Sequence, residues 1–312
     1  MAFRSTKMTN YSAHTPKIVR RKSRINNMAA LPFVVPALII YLIFIIYPIV
    51  LAFVLSFFHW DGVQPQRDYV GLENYIYLFT QDETFGRALL NSAIWVVFSL
   101  FIPTTLGLLL ALGLNRALVG KLAFRAVFYL PATIASIGVA TIWSWMYNPN
   151  FGVINSLLKQ IGLGGLIQDW LGDRKVAIFS IFAASVWSST GPGMLLFLAG
   201  LQGIARDLIE AAKVDGANRW QGFWNVVVPG LRETFIIVIA LTIINSLKAF
   251  DLIYAMTNGG PGQSSNVLAS WSYFTTFNAR NYGRGTAIAM VLLVITLVII
   301  VPYFRWVNRG ED

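Results

Sequence analysis

Polar side chains that interrupt long apolar runs are the residues of this chain best placed to do chemistry. Ser185, Trp187, Ser188, Ser189 and Thr190 precede a helix break expected at Gly191-Pro192-Gly193. Asn245, Ser246, Lys248 and Asp251 fall in a second run, and Ser136 follows Pro131 in a third. At membrane depth such groups are tolerated where they line a cavity or are buried in protein. Hydroxyl, amide, ammonium and carboxylate groups suit reversible hydrogen bonding of a polar solute. Two plainer readings stand beside that one. Serines can serve helix packing, and Lys248 and Asp251, at i and i+3, can pair with each other.

Covalent chemistry finds little support. The chain has no cysteine, which removes disulfides, thiolate catalysis and Cys-ligated metal. Its two histidines, His14 and His59, lie in a tail and at a span end, so no metal centre is expected. A phosphate loop needs G-x4-G-K-[ST], whose backbone amides and lysine cradle the phosphates. The nearest string, Asn115-Arg116-Ala117-Leu118-Val119-Gly120-Lys121-Leu122, has asparagine for the first glycine and leucine for the hydroxyl residue. Neither ATP nor another cofactor is therefore expected on this chain. A membrane enzyme would need clustered histidines or paired carboxylates, and the apolar runs lack them.

Membrane spans are what must position the polar groups. The 312 residues are 56% hydrophobic and 12% charged, with mean hydropathy +0.62, whereas soluble domains carry about 25% charged residues. About six segments reach the roughly 20 apolar residues that a crossing requires: residues 29–58, 89–114, 122–146, 176–201, 234–256 and 286–307. The first is far longer than the about 7–15 residues of a signal-peptide core and lacks a cleavage site, so it is expected to remain as a span. The net charge of +10 is concentrated in the N-terminal tail, at Arg4, Lys7 and residues 17–24. Beside a span, a polybasic stretch reads as a topology signal facing anionic lipid, not as a nucleic-acid site. With the N-terminus in the cytoplasm, roughly sixteen basic residues fall inside and about seven outside, so both termini are expected to be cytoplasmic. Residues 59–87 form an acidic, aromatic external loop. A short helix is expected around residues 153–161 of the Gly-rich 148–175 loop, and Asn258-Gly259-Gly260-Pro261-Gly262 marks an external turn.

Residues 202–232 are the outlier. Helix–helix connections are typically about 2–8 residues, yet this one is far longer and alternates apolar and charged residues at helical spacing. Leu208, Ile209 and Ala212 share one face, and Phe223, Val226 and Val227 another. Between them Asp215-Gly216 can close one helix and help start the next. Two short helices at an angle, on the cytoplasmic side, are expected, and an exposed apolar face on them calls for a partner.

This loop reads Glu210-Ala211-Ala212-Lys213-Val214-Asp215-Gly216-Ala217-Asn218, then Trp220, Phe223 and Pro229. It resembles the EAA signature of permeases in ATP-binding-cassette importers, EAA-x2-DGA followed downstream by F and P. Ala255-Met256-Thr257-Asn258-Gly259-Gly260-Pro261 is similar to the M-T-x-G-G-P element of sugar-importer permeases of the maltose and glycerol-phosphate type. Val70-Gly71-Leu72-Glu73-Asn74-Tyr75 resembles their V-G-L-x-N-Y element. The matches cover most of the chain from about residue 30 onward, and the G-G-P element favours the first of two paired permeases. Ala205 and Glu233 stand where many members carry proline.

The resemblance implies an all-α, polytopic membrane protein, with a basic tail over residues 1–28 and a permease domain over 29–312. It implies that the loop couples to an ATP-binding subunit by sitting in its groove. Glu210 would pair there with a basic residue, Gly216 would supply the bend, and Ala211, Ala212 and Ala217 would permit close approach. Asp215 would order the bend by capping, and Phe223 and Pro229 complete the element. Implied partners are a second permease, two ATP-binding subunits holding MgATP, an extracytoplasmic solute-binding protein and the lipid of a bacterial inner membrane. Ser136, Ser185, Trp187, Ser189, Asn245, Ser246, Lys248 and Asp251 lie in spans like those that contribute the family's sugar site, with Trp187 or Phe250 available to stack on a pyranose. An import of glycerol phosphate or a polyol is the nearest rival. A proton-coupled secondary transporter is a more distant one, with only Asp251 as a candidate relay carboxylate.

Overall fold

The computed structural model describes residues 27–116 and 119–308. The basic tail with Arg4, Lys7 and residues 17–24 lies outside the described residues, as do Ala117 and Leu118 of the rejected phosphate-loop string and Arg309. The described residues divide into two compact units, with the boundary between Ile49 and Val50.

The first apolar run is helical as far as Leu55: α1 (Asn27–Tyr41), a π-helical turn (Leu42–Ile46) and α2 (Tyr47–Leu55). Its 22-residue stretch Val34–Leu55 reaches about 33 Å at 1.5 Å per residue, enough to cross a hydrocarbon core of about 30 Å. The wide turn has a cause in the sequence. Pro48 lacks an N–H, and its ring would press on the carbonyl four residues back. The helix absorbs this by widening, with the Tyr47 amide bonding Leu42 O. The same device recurs ahead of Pro229, where the Val228 amide reaches Phe223 O across the π-helical turn Phe223–Val227.

A two-residue ribbon follows, β1 (Phe58–His59) paired antiparallel with β2 (Asp68–Tyr69). After it come α3 (Glu73–Thr80) and α4 (Glu83–Leu114). Within the Val-Gly-Leu-Glu-Asn-Tyr element, the buried Asn74 Nδ2 donates to the carbonyls of Ser56 (2.9 Å) and Phe58 (3.0 Å), which ties α3 to the end of α2. The α4 helix begins six residues before the expected Leu89. Asp82 sets its start, its Oδ1 accepting from the Phe85 amide at 2.8 Å.

The third expected span, residues 122–146, is not one helix. It is α5 (Lys121–Tyr129), a 3-10 turn (Leu130–Thr133) and α6 (Ser136–Met146), and the two limbs meet at 99°. Pro131 removes an amide donor at the turn, and Ile134 and Ala135 are extended. The short α7 (Val153–Gln160) then forms where expected. The fourth span, α8 (Ala177–Gly203), corrects a second expectation, because it runs unbroken through Gly191-Pro192-Gly193. Those glycines are points of close approach. A Cβ on Gly191 would stand 2.7 Å from Phe128 O, and one on Gly107 of α4 would stand 3.0 Å from the Met194 amide nitrogen. Small residues let membrane helices pack backbone to backbone, and α4 with α8 is the most extensive helix contact in the described residues.

Beyond the loop helices α9 (Arg206–Val214), α10 (Arg219–Gly222) and α11 (Val228–Gly230) comes α12 (Arg232–Leu247). The expected fifth span, residues 234–256, breaks at Lys248-Ala249-Phe250, and α13 (Asp251–Thr257) continues the chain. Alone, α12 is about 24 Å long, short of the hydrocarbon thickness. The last elements are α14 (Leu268–Tyr273), a π-helical turn (Phe274–Asn278) and α15 (Tyr282–Asn308). Among the described residues, four helices are long and apolar enough to cross on their own, and the number reaches six if each of two bent pairs, Lys121–Thr133 with Ser136–Met146 and Arg219–Gly230 with Arg232–Leu247, is one span.

Buried clusters fix the arrangement. Ala111, Met194, Phe197, Leu231 and Val238 join α4, α8 and α12. Trp95, Ile181, Phe182, Ile253 and Val267 join α4, α8 and α13 at another level. Asn91 of α4 clamps the 258–267 turn by donating to the carbonyls of Ser264 and Asn266, both at 2.8 Å. Ser92 accepts from the Leu268 amide at 2.9 Å. Gly191→Val and Gly107→Val are expected to lose about 1–3 kcal/mol by overpacking, read as a lower unfolding midpoint in detergent. Gly193→Ala, whose Cβ would meet nothing within 4 Å, is expected to match the native protein.

Candidate functional site

The breaks in the third and fifth spans face each other. Ser136, first residue of α6, donates to Asp251 Oδ2 of α13 at 3.4 Å. Around this junction lies an open cavity of about 510 Å³, within the roughly 300–1,000 Å³ of small-molecule sites. Its wall takes in Ser136, Ser185, Ser189, Asn245, Ser246, Lys248 and Asp251. Residues chosen because they are polar in apolar runs therefore converge on one space. Val238 of the first buried cluster, and Trp95 and Ile253 of the other, also line it, so apolar packing flanks the polar zone.

Hydrogen bonding sorts the wall into spent and available groups. The hydroxyls of Ser185, Ser188 and Ser246 donate to the carbonyls of Phe182 (2.7 Å), Ser185 (3.1 Å) and Thr242 (2.6 Å). They are helix-packing serines by their donor side and keep lone pairs as acceptors. Among the described residues, the side chains of Ser189, Asn245 and Lys248 form no hydrogen bond or ion pair, so their donors are free for a solute. The anticipated Lys248–Asp251 pair is absent as well. The helix break explains this, because Lys248 caps α12 while Asp251 opens α13, so the two are not on one continuous helix face.

Trp187 departs from its expected role. It lies outside the cavity wall, half-exposed, with its ring edge-on to Trp143 at 6.1 Å. The expected stacking aromatic Phe250 does line the cavity. The contribution of α4, through Ser99, Pro103 and Thr104, was missed. A signal was present for two of them: Ser99 and Pro103, at i and i+4, share a helix face.

The 206–230 segment forms the two angled helices expected, with one correction. Gly216 is left-handed (φ +81°) and closes α9. The Gly216 amide reaches Lys213 O at 3.1 Å and the Ala217 amide reaches Ala212 O at 2.9 Å, the paired bonds of a Schellman end. Asp215 does not start the next helix. Asn218 does, in a reciprocal box with Gln221: Asn218 Oδ1 accepts from the Gln221 amide (2.9 Å) and Gln221 Oε1 from the Asn218 amide (2.8 Å). Glu210, Ala211 and Pro229 are exposed, and Ala212, Ala217 and Phe223 are half-buried. Trp220, Phe223 and Trp224 cluster with centroids 5.2–6.3 Å apart, yet Trp220 is 69% exposed and nearby Val214 87%. Apolar area of this kind on a polar-rimmed element marks an interaction surface.

Among the described residues, no group of three or more histidine or carboxylate side chains gathers as a metal site. A helical bundle whose broken spans enclose a polar cavity, with an exposed apolar loop at a helix end, is the architecture of a multi-pass membrane permease. The chain belongs to the family of binding-protein-dependent transport system inner membrane components, whose model matches residues 103–308. It is 37% identical to the probable ABC transporter permease protein PH1215 of Pyrococcus horikoshii, over 90% of this chain and 96% of that one. It is 33% identical to the trehalose/maltose transport system permease protein MalF of Thermococcus litoralis, over 93% and 96% of the two chains. A permease from a bacterial ABC transporter that imports the acidic polysaccharide alginate superposes with TM-score 0.79 at 25% identity, covering 92% of this chain and 97% of that one.

Removing the Asn218 cap by Asn218→Ala is expected to cost about 1 kcal/mol locally. Amide hydrogen exchange of residues 219–222 should then rise about five-fold while that of α4 and α8 stays unchanged.

Proposed function

We propose that this chain is a transmembrane subunit of an ATP-driven importer for a sugar or oligosaccharide, paired with a second permease in a bacterial inner membrane, with both termini cytoplasmic. The observation that carries the reading is the single cavity on which Ser136, Ser189, Asn245, Lys248 and Asp251 converge. Free amide, ammonium and hydroxyl groups beside the Phe250 ring suit a ligand that is hydroxylated at its edge and apolar on its face. The Thermococcus litoralis relative, a trehalose/maltose transport system permease, supports the same substrate class.

In this reading the α9–α10 segment seats in a groove of an ATP-binding subunit. Two such subunits hold MgATP and hydrolyse it. Glu210 pairs there with a basic residue in a charge-assisted contact, while Trp220 and Val214 lose their exposure. Closure of the ATP-binding pair then moves residues 202–232 and rocks the bundle, opening the cavity toward the solute-binding protein. This chain contributes binding and motion, and no covalent step.

The test is ATP hydrolysis and uptake by the complex purified with its co-expressed subunits and reconstituted with binding protein and a sugar panel. The wild type is expected to hydrolyse ATP faster with one sugar, and Glu210→Ala to lose most of that stimulation. Asn245→Ala is expected to lower uptake about ten-fold, one or two hydrogen bonds' worth, with the ATPase subunits still bound. Absence of co-purifying ATPase subunits, with uptake indifferent to Glu210→Ala, would contradict the importer reading.

A further inference from the structure

A continuous run of aromatic rings leaves the cavity at Phe250 and ends at the β1–β2 ribbon. Phe250 stacks on Tyr254 (5.2 Å) and touches Tyr273 (5.1 Å). Tyr273 meets Phe277 (4.9 Å), Phe277 meets Tyr282 (5.8 Å), and Tyr282 meets Trp60 (5.2 Å) beside the ribbon. These six residues come from four places in the chain: the ribbon end, α13, the α14 region and the start of α15.

Packing alone does not account for the run. Core aromatics are buried, whereas Tyr254 is 41% and Phe277 56% exposed, and the other members are half-buried. The backbone nevertheless holds the rings in place. The Tyr282 amide donates to Trp60 O at 2.9 Å. Gly62, with φ +85°, lies so close to Tyr282 that a Cβ there would fall within its ring. The Arg67 guanidinium covers the Trp60 ring at 4.4 Å. A membrane-interface belt would also use tyrosine and tryptophan. This run, however, begins between Lys248 and Asp251, at the wall of a polar cavity, where lipid has no place.

We propose that these rings form a stacking track that passes saccharide units from the external surface into the cavity. The proposal rests on the sugar reading above and deepens it. The apolar face of a pyranose lies on an aromatic ring while its hydroxyls stay in water. Ring centroids spaced at 4.9–5.8 Å allow a sugar to leave one ring as it gains the next. No single stop is tight, which suits passage more than storage. The substrate class is thereby narrowed to pyranosides with an exposed C–H face, oligosaccharides above all, since these touch several rings at once.

The experiment uses the whole complex in proteoliposomes with its binding protein. Labelled glucose, maltose, trehalose, sucrose, maltotriose and maltopentaose serve as probes. Tyr254→Leu and Phe277→Leu keep apolar bulk and remove the ring, and Tyr254→Phe keeps the ring. Each leucine variant is expected to lower kcat/KM for uptake about five-fold and the pair about twenty-five-fold. Tyr254→Phe should match wild type, and ATPase stimulation by the binding protein should be unchanged. Wild-type uptake that the double leucine variant matches would overturn the track alone, as would equal losses in Tyr254→Phe and Tyr254→Leu. Loss of the second permease from the purified leucine variants would identify the rings as a subunit interface and overturn it too. A wild type that imports none of the probes would overturn the sugar reading and the track together.

Discussion

Hydrocarbon offers no hydrogen bonds, so every backbone group freed where a membrane helix breaks must find protein or enclosed water. The bundle breaks at Ile134-Ala135 and again at Lys248-Ala249-Phe250. Either break facing lipid would leave several amides and carbonyls unsatisfied. Facing each other, they share a cavity, bridged by Ser136 and Asp251. The polar wall is thus a consequence of where the helices stop, and Lys248 and Asp251 are tolerable at that depth because the cavity is there.

Broken helices need unbroken neighbours. The α4 and α8 helices serve as that frame, brought to backbone contact at Gly107, while Gly191 lets α5 close on α8. From the frame, Asn91 and Ser92 reach the turn that follows α13. Tyr147, at the end of α6, donates to Ser180 O of α8 at 2.9 Å. The α6 limb and the turn after α13 are therefore pinned to the long pair by buried polar bonds, a stronger tie than apolar contact when lipid is the competitor.

The sequence was a good guide to which residues matter and a poorer one to where helices bend. Composition alone gave the number and rough place of the spans. Polar side chains in apolar runs led directly to the cavity, because only a cavity excuses them. Proline misleads twice, in opposite senses. Pro131 sits within an apolar run that reads as one span yet bends by 99°, while Gly191-Pro192-Gly193 reads as a break yet the helix continues through it. The difference lies in what surrounds each. Charged Lys121 and Arg125 favour keeping α5 out of the hydrocarbon, so a bend costs little there. Around Pro192, glycines pack on α4 and α5, and tertiary contact holds the helix together. Trp187 was legible by phase, since it sits about 200° from Ser185 on the helix. Asn218 was legible as well, for Asn-x-x-Gln is a capping-box pattern that the more conspicuous Asp215-Gly216 overshadowed.

The natural absence of cysteine makes the central claim directly measurable. Ser189→Cys in the cavity wall and Leu109→Cys on an exposed apolar helix face can each be challenged, in the assembled complex, with a charged, membrane-impermeant maleimide. A solute path through the cavity predicts that Ser189→Cys reacts, that the transported sugar protects it, and that Leu109→Cys stays inert. A Ser189→Cys as inert as Leu109→Cys, in every nucleotide state, would contradict the account.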